Sequence, residues 1–500
     1  MKISNFLKQP YFYEPAVTAC LLAVSRLPLH LGFLVFPALL PLLGFLSRPL
    51  SLKQTLTGAL VFSFLYTMIS LHWISLVTWP GFIGLILVFS LYFLILFYLI
   101  NITVRVHRFL LLPAFMAFWM SFEYLQNFGE FRFPWFNLGY SLADYLPFIQ
   151  LAEIGGVYLL SFLVIIVNYF LFCGLKGSRT FLIAVLVILG CWAGFGAVRL
   201  SNMPIDKSAD KIAIVQVSVP QDLKWDPAFL DSTLELYREY TFKAAERKPS
   251  LIIWPESALP VYLMRQYQYQ HFLLNLCREV DTDIFTGFPH YEKAGENHPE
   301  PFKFYNSASL FKTDGSISRP YYKIILVPFG ERMPFLKLFP FLWQVQLGQA
   351  NFEYGKEPVY FETVNHKTFS PLICFEIAFP ELTGQISEPG VDFLVNITND
   401  AWFKRSAGTY QHAMMTRLRA VETRKQIFRA ANTGYSLIVS PTGRIERKTS
   451  LYEKEVIDYQ VETVPFDSFF TKYFRHFPVF FVIMAGLMII IVACNMSKLK

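Results

Sequence analysis

Phe369-Ser-Pro-Leu-Ile-Cys-Phe-Glu-Ile-Ala-Phe-Pro-Glu-Leu382 is the stretch around which the rest of the chain becomes intelligible. Its apolar run, Pro371 to Ile373, reads as a buried strand that delivers Cys374 to its end, and Pro380 blocks a simple continuation. Glu376 stands two residues beyond the thiol. A thiol on a sharp turn with a carboxylate close by suits a nucleophile. By itself the pattern is weak, because free cysteine is among the most buried residue types and usually only fills space.

The surrounding sequence alternates strands with helices. Lys211–Val219 is strand-like, Pro227–Arg247 has helical spacing with charges on one face, and Leu251–Trp254 and Asp283–Phe288 are short strands. Tyr305–Lys312 and Arg319–Leu326 flank Thr313-Asp-Gly-Ser316, a hairpin turn signal. Further strands are expected at Thr368–Ile373, Phe393–Ile397, Gln426–Ala430 and Ser436–Ser440. Together these predict an α/β sandwich, two β-sheets covered by helices, over residues 210–465. No Gly-rich phosphate loop or dinucleotide fingerprint occurs, so no cofactor is expected.

Composition sets that domain in a membrane protein. Of 500 residues, 54% are hydrophobic and only 16% charged, too apolar for a soluble globular chain. The apolar residues concentrate in Tyr11–Val198 and return at Phe477–Ala493. A bilayer-crossing helix needs about 20 apolar residues, and candidate spans are Leu56–Ile74, Phe82–Val104, Phe109–Tyr124, Val157–Leu175, Thr180–Val198 and Phe477–Ala493. Arg48 and Lys53, Arg105 and Arg108, and Lys176 and Arg179 mark three loops, each two spans apart, which the positive-inside rule places in the cytoplasm. Lys2 and Lys8 belong on that side only if Tyr11–Leu46 is a hairpin broken near Arg26-Leu-Pro28. About seven transmembrane helices over residues 1–200 then precede the α/β domain, which lies outside the cytoplasm. The span at 477–494 returns the chain to Lys498 and Lys500. These loop positions also explain the net charge of +7, so no nucleic-acid partner is expected. The aromatic stretch Phe133–Tyr140, in the loop Glu123–Gly156, reads as an interfacial belt or as the lining of a lipid-accessible cleft. The six cysteines show no CxxC or Cys/His cluster at ligand spacing, so no metal site is expected.

Two further motifs share the α/β domain with Cys374. Glu256, in Trp254-Pro-Glu-Ser-Ala-Leu-Pro260, directly follows a buried strand, and Lys323 sits in the apolar, aromatic Tyr321-Tyr-Lys-Ile-Ile-Leu-Val-Pro-Phe-Gly-Glu331. Base, cation and thiol are the groups a thiol-based acyl transfer requires. Taken singly, Glu256 reads as a helix-cap neighbour and Lys323 as a surface lysine. Together, in this order, the three motifs resemble the Glu–Lys–Cys triad of the nitrilase, or carbon–nitrogen hydrolase, superfamily. The resemblance continues through Asn396-Ile-Thr-Asn-Asp-Ala-Trp-Phe403, Gln411-His412, Arg419-Ala-Val-Glu-Thr-Arg424 and Arg429-Ala-Ala-Asn-Thr-Gly434. With the membrane spans and the opening motif Val215–Trp225, the chain is similar to that superfamily's membrane-embedded N-acyltransferases. Phe375 departs from their pattern, where a tyrosine is common.

The resemblance implies Glu256 as general base, Cys374 as nucleophile and Lys323 as the cation facing the developing oxyanion. Glu331 and Glu376 would be supporting carboxylates, with Trp225, Phe375, Trp402, Phe341 and Trp343 as substrate contacts. It also implies a phospholipid acyl donor, a diacylated lipoprotein acceptor, and a monomer in the bacterial inner membrane with its catalytic domain on the periplasmic side. Met333–Trp343, mostly leucine and aromatic residues, is either packed core or a lipid-touching lid. Two other functions compete. One is a membrane-anchored amidase acting on a small amide. The other is a non-catalytic transporter or scaffold, which the intact Glu256, Lys323 and Cys374 oppose, as does the spans' lack of the buried charges expected along a transport path.

Overall fold

The computed structural model describes residues 9–344, 351–387 and 390–495. Two compact units emerge, one of Met1–Asn202 with Tyr473–Lys500 and the other of Met203–Lys472. The topology argument's Lys2, Lys8, Lys498 and Lys500 lie outside the described residues.

The first unit is helical. Among the described residues, five stretches are long and apolar enough to cross a membrane: Leu52–Leu76, Trp79–Val106, Ala152–Leu175, Arg179–Ser201 and His476–Cys494. At the other expected spans, Pro10–Val24, Gly32–Leu46 and Leu111–Leu125 are helical but shorter than that. Pro10–Val24 packs against the helical stretch that follows it. Ser51 starts the helix Leu52–Leu71 with a capping box: its hydroxyl accepts from Gln54 N, and Gln54 Oε1 accepts from Ser51 N. Leu87, Leu91 and Ile95 recur every four residues on an exposed face of Trp79–Val106, an apolar stripe suited to lipid.

Two expectations fail here. Phe133–Tyr140 is neither an exposed belt nor an open lining: Phe133, Trp135, Phe136, Leu138 and Tyr140 are all buried. Nor is the unit free of buried charge. Glu123 is 0% exposed, and its Oε1 accepts from Trp119 Nε1 at 3.1 Å and from Leu138 N at 2.9 Å. The buried Arg26 donates to the Trp135 carbonyl. Gln126 adds bonds to Asn137 and to Phe136 N. These groups satisfy backbone groups of an irregular buried segment, which lets its aromatic rings turn inward. A hydropathy window dilutes one carboxylate at a helix end and so misses it.

Among the described residues of the second unit, twelve strands occur: β1 (Asp206–Gln216), β2 (Leu251–Ile253), β3 (Ile284–Lys293), β4 (Phe302–Phe311), β5 (Tyr321–Tyr322), β6 (Phe361–Glu362), β7 (Thr368–Ile373), β8 (Phe393–Thr398), β9 (Gln426–Ala431), β10 (Leu437–Val439), β11 (Ile445–Lys448) and β12 (Glu455–Thr463). They form two six-stranded sheets, ordered β12-β1-β2-β3-β4-β5 and β11-β10-β9-β8-β7-β6. This is the expected sandwich. Alternation along each strand divides its side chains between two cores. Ile212 and Ile214 of β1, with Leu251 and Ile253 of β2, join Phe285, Phe369, Phe393 and Phe428 between the sheets. Ala213, Val215, Ile252 and Trp254 face the other way, among Tyr237, Leu273 and Leu276. The last three come from helices α1 (Leu230–Ala245) and α2 (Tyr267–Val280). Phe369 meets Phe285 edge-on at 5.2 Å and stacks on Phe393 at 5.3 Å. Such pairs add about 0.5–1.5 kcal/mol each beyond burial.

The expected strand Arg319–Leu326 shrinks to Tyr321–Tyr322. Lys323 N still reaches Asn306 O at 2.8 Å, but the N–H groups of Ile324 and Ile325 donate to the Glu376 carboxylate instead of to a neighbouring strand. That departure is what carries Lys323 toward the other sheet's Cys374 turn.

Candidate active site

Each of the three sequence candidates stands just past a strand end. Glu256 follows β2, and its loop fits closely against β3 at Gly287. A Cβ on Gly287 would lie 3.0 Å from both Glu256 Cα and Ser257 N, so the close approach needs glycine. Lys323 follows β5. Cys374 follows β7 in the left-handed region, φ 53°, a conformation that costs a non-glycine residue about 1–3 kcal/mol and recurs at functional sites.

Lys323 is 1% exposed and Glu256 6%. The ammonium donates to Glu331 Oε1 at 2.8 Å and lies 3.8 Å from Glu256 Oε1. Asn306 Nδ2 bridges the two carboxylates, donating to Glu256 Oε1 at 2.7 Å and to Glu331 Oε1 at 2.9 Å. Two flanking acceptors settle which end of that amide is the NH₂. Backbone donors complete the arrangement, Asn399 N to Glu256 Oε2 at 2.8 Å and Val327 N to Glu331 Oε2 at 2.9 Å. Glu331 thus stands where a lysine-orienting carboxylate belongs.

Glu376 bridges two chain segments. Tyr321 Oη donates to it at 2.9 Å, Ile324 N at 2.6 Å, Ile325 N at 3.0 Å and Ile373 N at 2.7 Å. One carboxylate therefore fixes the lysine segment against the strand that bears Cys374. Burial pushes the Glu376 carboxyl up to about 7, and the Ile373 N–H and Lys323 pull it back.

Electrostatics assign different tasks to thiol and lysine. Burial, then the Glu256 charge, hold the Cys374 thiol far above its ordinary range, with Lys323 opposing. The resting group is a thiol and needs a base. Burial would lower Lys323, yet Glu331 and Glu256 outweigh it and keep the ammonium well above its ordinary range. Such a lysine suits the part of a fixed cation better than that of a proton acceptor.

Other candidates are more loosely placed. Trp225, 39% exposed, follows the buried Lys224, whose Nζ donates to the Glu256 carbonyl at 3.1 Å. Burial brings Lys224 down to about 8, against the raising effect of Glu256. Phe375 is buried, with its ring against Phe379. Trp402 is half-buried beyond β8. The segment after Glu331 is divided: Met333 and Leu336 are buried, Leu338 and Phe341 are 70% and 66% exposed, and Trp343 packs on Arg332 and His298. It is not simply core.

Sequence reasoning missed Asn306, which lies in none of the quoted motifs. It also gave no role to Asp400, His412 and Arg429. Cys374, Asp400 and His412 have candidate ligand atoms within 4.8 Å of one another, a cluster invisible in linear spacing. Arg429 Nη2 donates to Asp400 Oδ2 at 2.7 Å, so the acidic group is already ion-paired and the set suits a hydrogen-bonded network better than a cation.

Comparison with known proteins places this site in a family. Residues 211–464 match the Carbon-nitrogen hydrolase family model, and residues 18–170 match the model of the Apolipoprotein N-acyltransferase N-terminal domain. The chain is 38% identical to the Apolipoprotein N-acyltransferase of Geobacter metallireducens, over 73% of this chain and 70% of that protein. It is 32% identical to the Apolipoprotein N-acyltransferase of Aquifex aeolicus, over 83% of this chain and 91% of the relative. The chain belongs to the apolipoprotein N-acyltransferase family. Like other apolipoprotein N-acyltransferases it is a bacterial membrane protein and an acyltransferase on a nitrilase-like sandwich. The family resemblance read from the three motifs therefore holds.

Proposed function

We propose that the enzyme moves an acyl chain from a membrane phospholipid to Cys374, and from there to the N-terminal amine of a diacylglyceryl-cysteine on a lipoprotein. The observation that carries this reading is the buried ammonium of Lys323, held between Glu256 and Glu331 beside a thiol that cannot ionise unaided. Glu256 takes the Cys374 proton as sulfur attacks the ester carbonyl. Lys323 and the peptide N–H of Phe375 stabilise the oxyanion. The intermediate collapses, breaking the ester C–O bond, and the departing lyso-phospholipid takes the proton from Glu256. In the second half, the amine attacks the thioester, Glu256 accepts the amine's proton, and the thiolate leaves and recovers that proton.

Oxyanion stabilisation by a preformed donor in a water-excluding site contributes about 2.7–4 kcal/mol, and this lysine is buried. The reaction is tested by incubating purified enzyme with labelled phospholipid and a diacylated lipopeptide. A triacylated lipopeptide is expected. Free fatty acid formed at the same rate without lipopeptide would favour the amidase-like hydrolase instead.

Leu338, Phe339 and Phe341 are exposed apolar side chains just beyond the Lys323–Glu331 pair, and we assign them to contact with lipid. Replacing Phe339, Phe341 and Trp343 with serine should raise the apparent KM for vesicle phospholipid several-fold and leave the unfolding temperature of the α/β unit within a few degrees. A cooperative loss of stability would mean the rings are core.

The positive charges of the loops around Arg48, Arg105 and Lys176 support an orientation with the α/β unit on the periplasmic side. A phosphatase reporter fused after Val198 should be active, and one fused after Lys176 inactive. The reverse pattern would overturn that orientation.

A further inference from the structure

The nucleophile's own carbonyl is gripped by a side chain from a distant helix. His412, on α3 (Ala407–Thr423), is 1% exposed, and its Nε2 lies 3.1 Å from Cys374 O. A carbonyl oxygen can only accept, so Nε2 carries a proton and donates. The other ring nitrogen, Nδ1, is 2.9 Å from Asp400 Oδ1 and 3.0 Å from Arg429 Nη2. Arg429 Nη1 also donates to Asn396 Oδ1, and Thr398 Oγ1 donates to Asp400 Oδ1 at 2.9 Å. Gly434 makes room for this knot, since a Cβ there would fall 2.5 Å from Asp400 Oδ2. The imidazole is therefore held from behind by side chains that are 0% exposed, and its Nε2 is aimed at one peptide.

That peptide is the informative part. The carbonyl of Cys374 and the N–H of Phe375 belong to the same planar unit and point in opposite directions. A donor fixed on the oxygen sets the orientation of the N–H at the other end. It also polarises the amide and makes the N–H a stronger donor, as in any hydrogen-bonded chain. The adjoining Cys374 sits at φ 53°, a conformation that relaxes unless its surroundings hold it.

We infer that His412 is a positioning residue for the oxyanion hole: held by Asp400 and Arg429, it orients and polarises the Cys374–Phe375 peptide whose N–H receives the oxyanion. This inference deepens the proposed function and rests on its acyl-transfer chemistry. The same knot also reaches the base, because Asn399, adjacent to Asp400, donates its N–H to Glu256. The His412 Nε2 contact itself falls on the nucleophile's peptide.

The test separates oxyanion stabilisation from thiol activation. Acyl-enzyme formation from phospholipid passes through an oxyanion, whereas alkylation of Cys374 by iodoacetamide does not. His412→Gln keeps an N–H close to the place of Nε2. His412→Asn, equally polar, is too short to reach the carbonyl, and His412→Leu has no donor. The leucine and asparagine variants should form the acyl-enzyme on the order of 10- to 100-fold more slowly than wild type, less than the loss from deleting an oxyanion donor outright. Their alkylation rates should remain within about two-fold, and the glutamine variant should recover most of the acylation rate.

Equal losses of acylation and alkylation would make His412 merely structural and overturn the inference. So would a glutamine variant no better than asparagine, or acylation unaffected in all three. Should leucine prevent folding, the glutamine–asparagine pair decides alone. Failure of the wild-type enzyme to form any acyl-enzyme would count against the proposed function itself, a distinguishable result.

Discussion

Cys374→Ala is expected to abolish both thioester formation and acyl transfer while leaving the fold intact. The loss should be complete within detection, because the described active site holds no second nucleophile placed between Glu256 and Lys323. Stability should change little. The thiol belongs to a strained turn, and alanine removes only its one sulfur atom. Intact-protein mass spectrometry after incubation with phospholipid checks this directly: wild type should gain one acyl mass that neutral hydroxylamine removes, and the variant none. An acyl mass persisting on the variant would place the nucleophile elsewhere.

Lys323→Met should slow acyl-enzyme formation by roughly 10³-fold or more, at the upper end of what losing one oxyanion donor costs. Two effects combine. The oxyanion loses its nearest cation, and Glu256 and Glu331 lose the positive charge between them, leaving two buried carboxylates joined only by Asn306. Their mutual repulsion would disturb the placement of the base as well. Lys323→Arg should not rescue, since a planar guanidinium cannot occupy a site shaped around a point ammonium. Single-turnover release of lyso-phospholipid measures the rate. Rescue by arginine to within ten-fold of wild type would show that the site needs only a positive charge, contrary to the geometry described.

The sandwich was largely legible because short, strongly apolar strands precede two of the candidate residues. Leu251–Ile253 announces Glu256, and Pro371–Ile373 announces Cys374. Elements without a local period were not legible. Ala407–Thr423 is a helix whose every residue but Tyr410 is buried, and its Gln411, His412, Thr416, Arg417, Arg419 and Glu422 are covered on all sides. With no solvent-facing stripe it lacks the amphipathic signature by which helices are found. Glu455–Thr463 pairs with Asp206–Gln216 more than 200 residues away, a partnership no window can contain. Asn306 is similar. It is one polar residue in a strand, and its importance comes from two carboxylates that arrive from separate loops. The buried Glu123 and Arg26 were missed for a related reason, because their partners are backbone groups of a loop that folds inward.

The most direct test of the central claim is a pulse and chase on wild-type enzyme. Phospholipid carrying a labelled acyl chain is supplied without acceptor, the excess is removed, and unlabelled diacylated lipopeptide is then added. A stoichiometric burst of lyso-phospholipid is expected, with label on Cys374 and quantitative passage of that label to the lipopeptide amine as the thioester disappears. Label that stays on the protein while lipopeptide is acylated from fresh phospholipid, or acylation with no enzyme-bound label at any time, would contradict a cysteine thioester as the carrier.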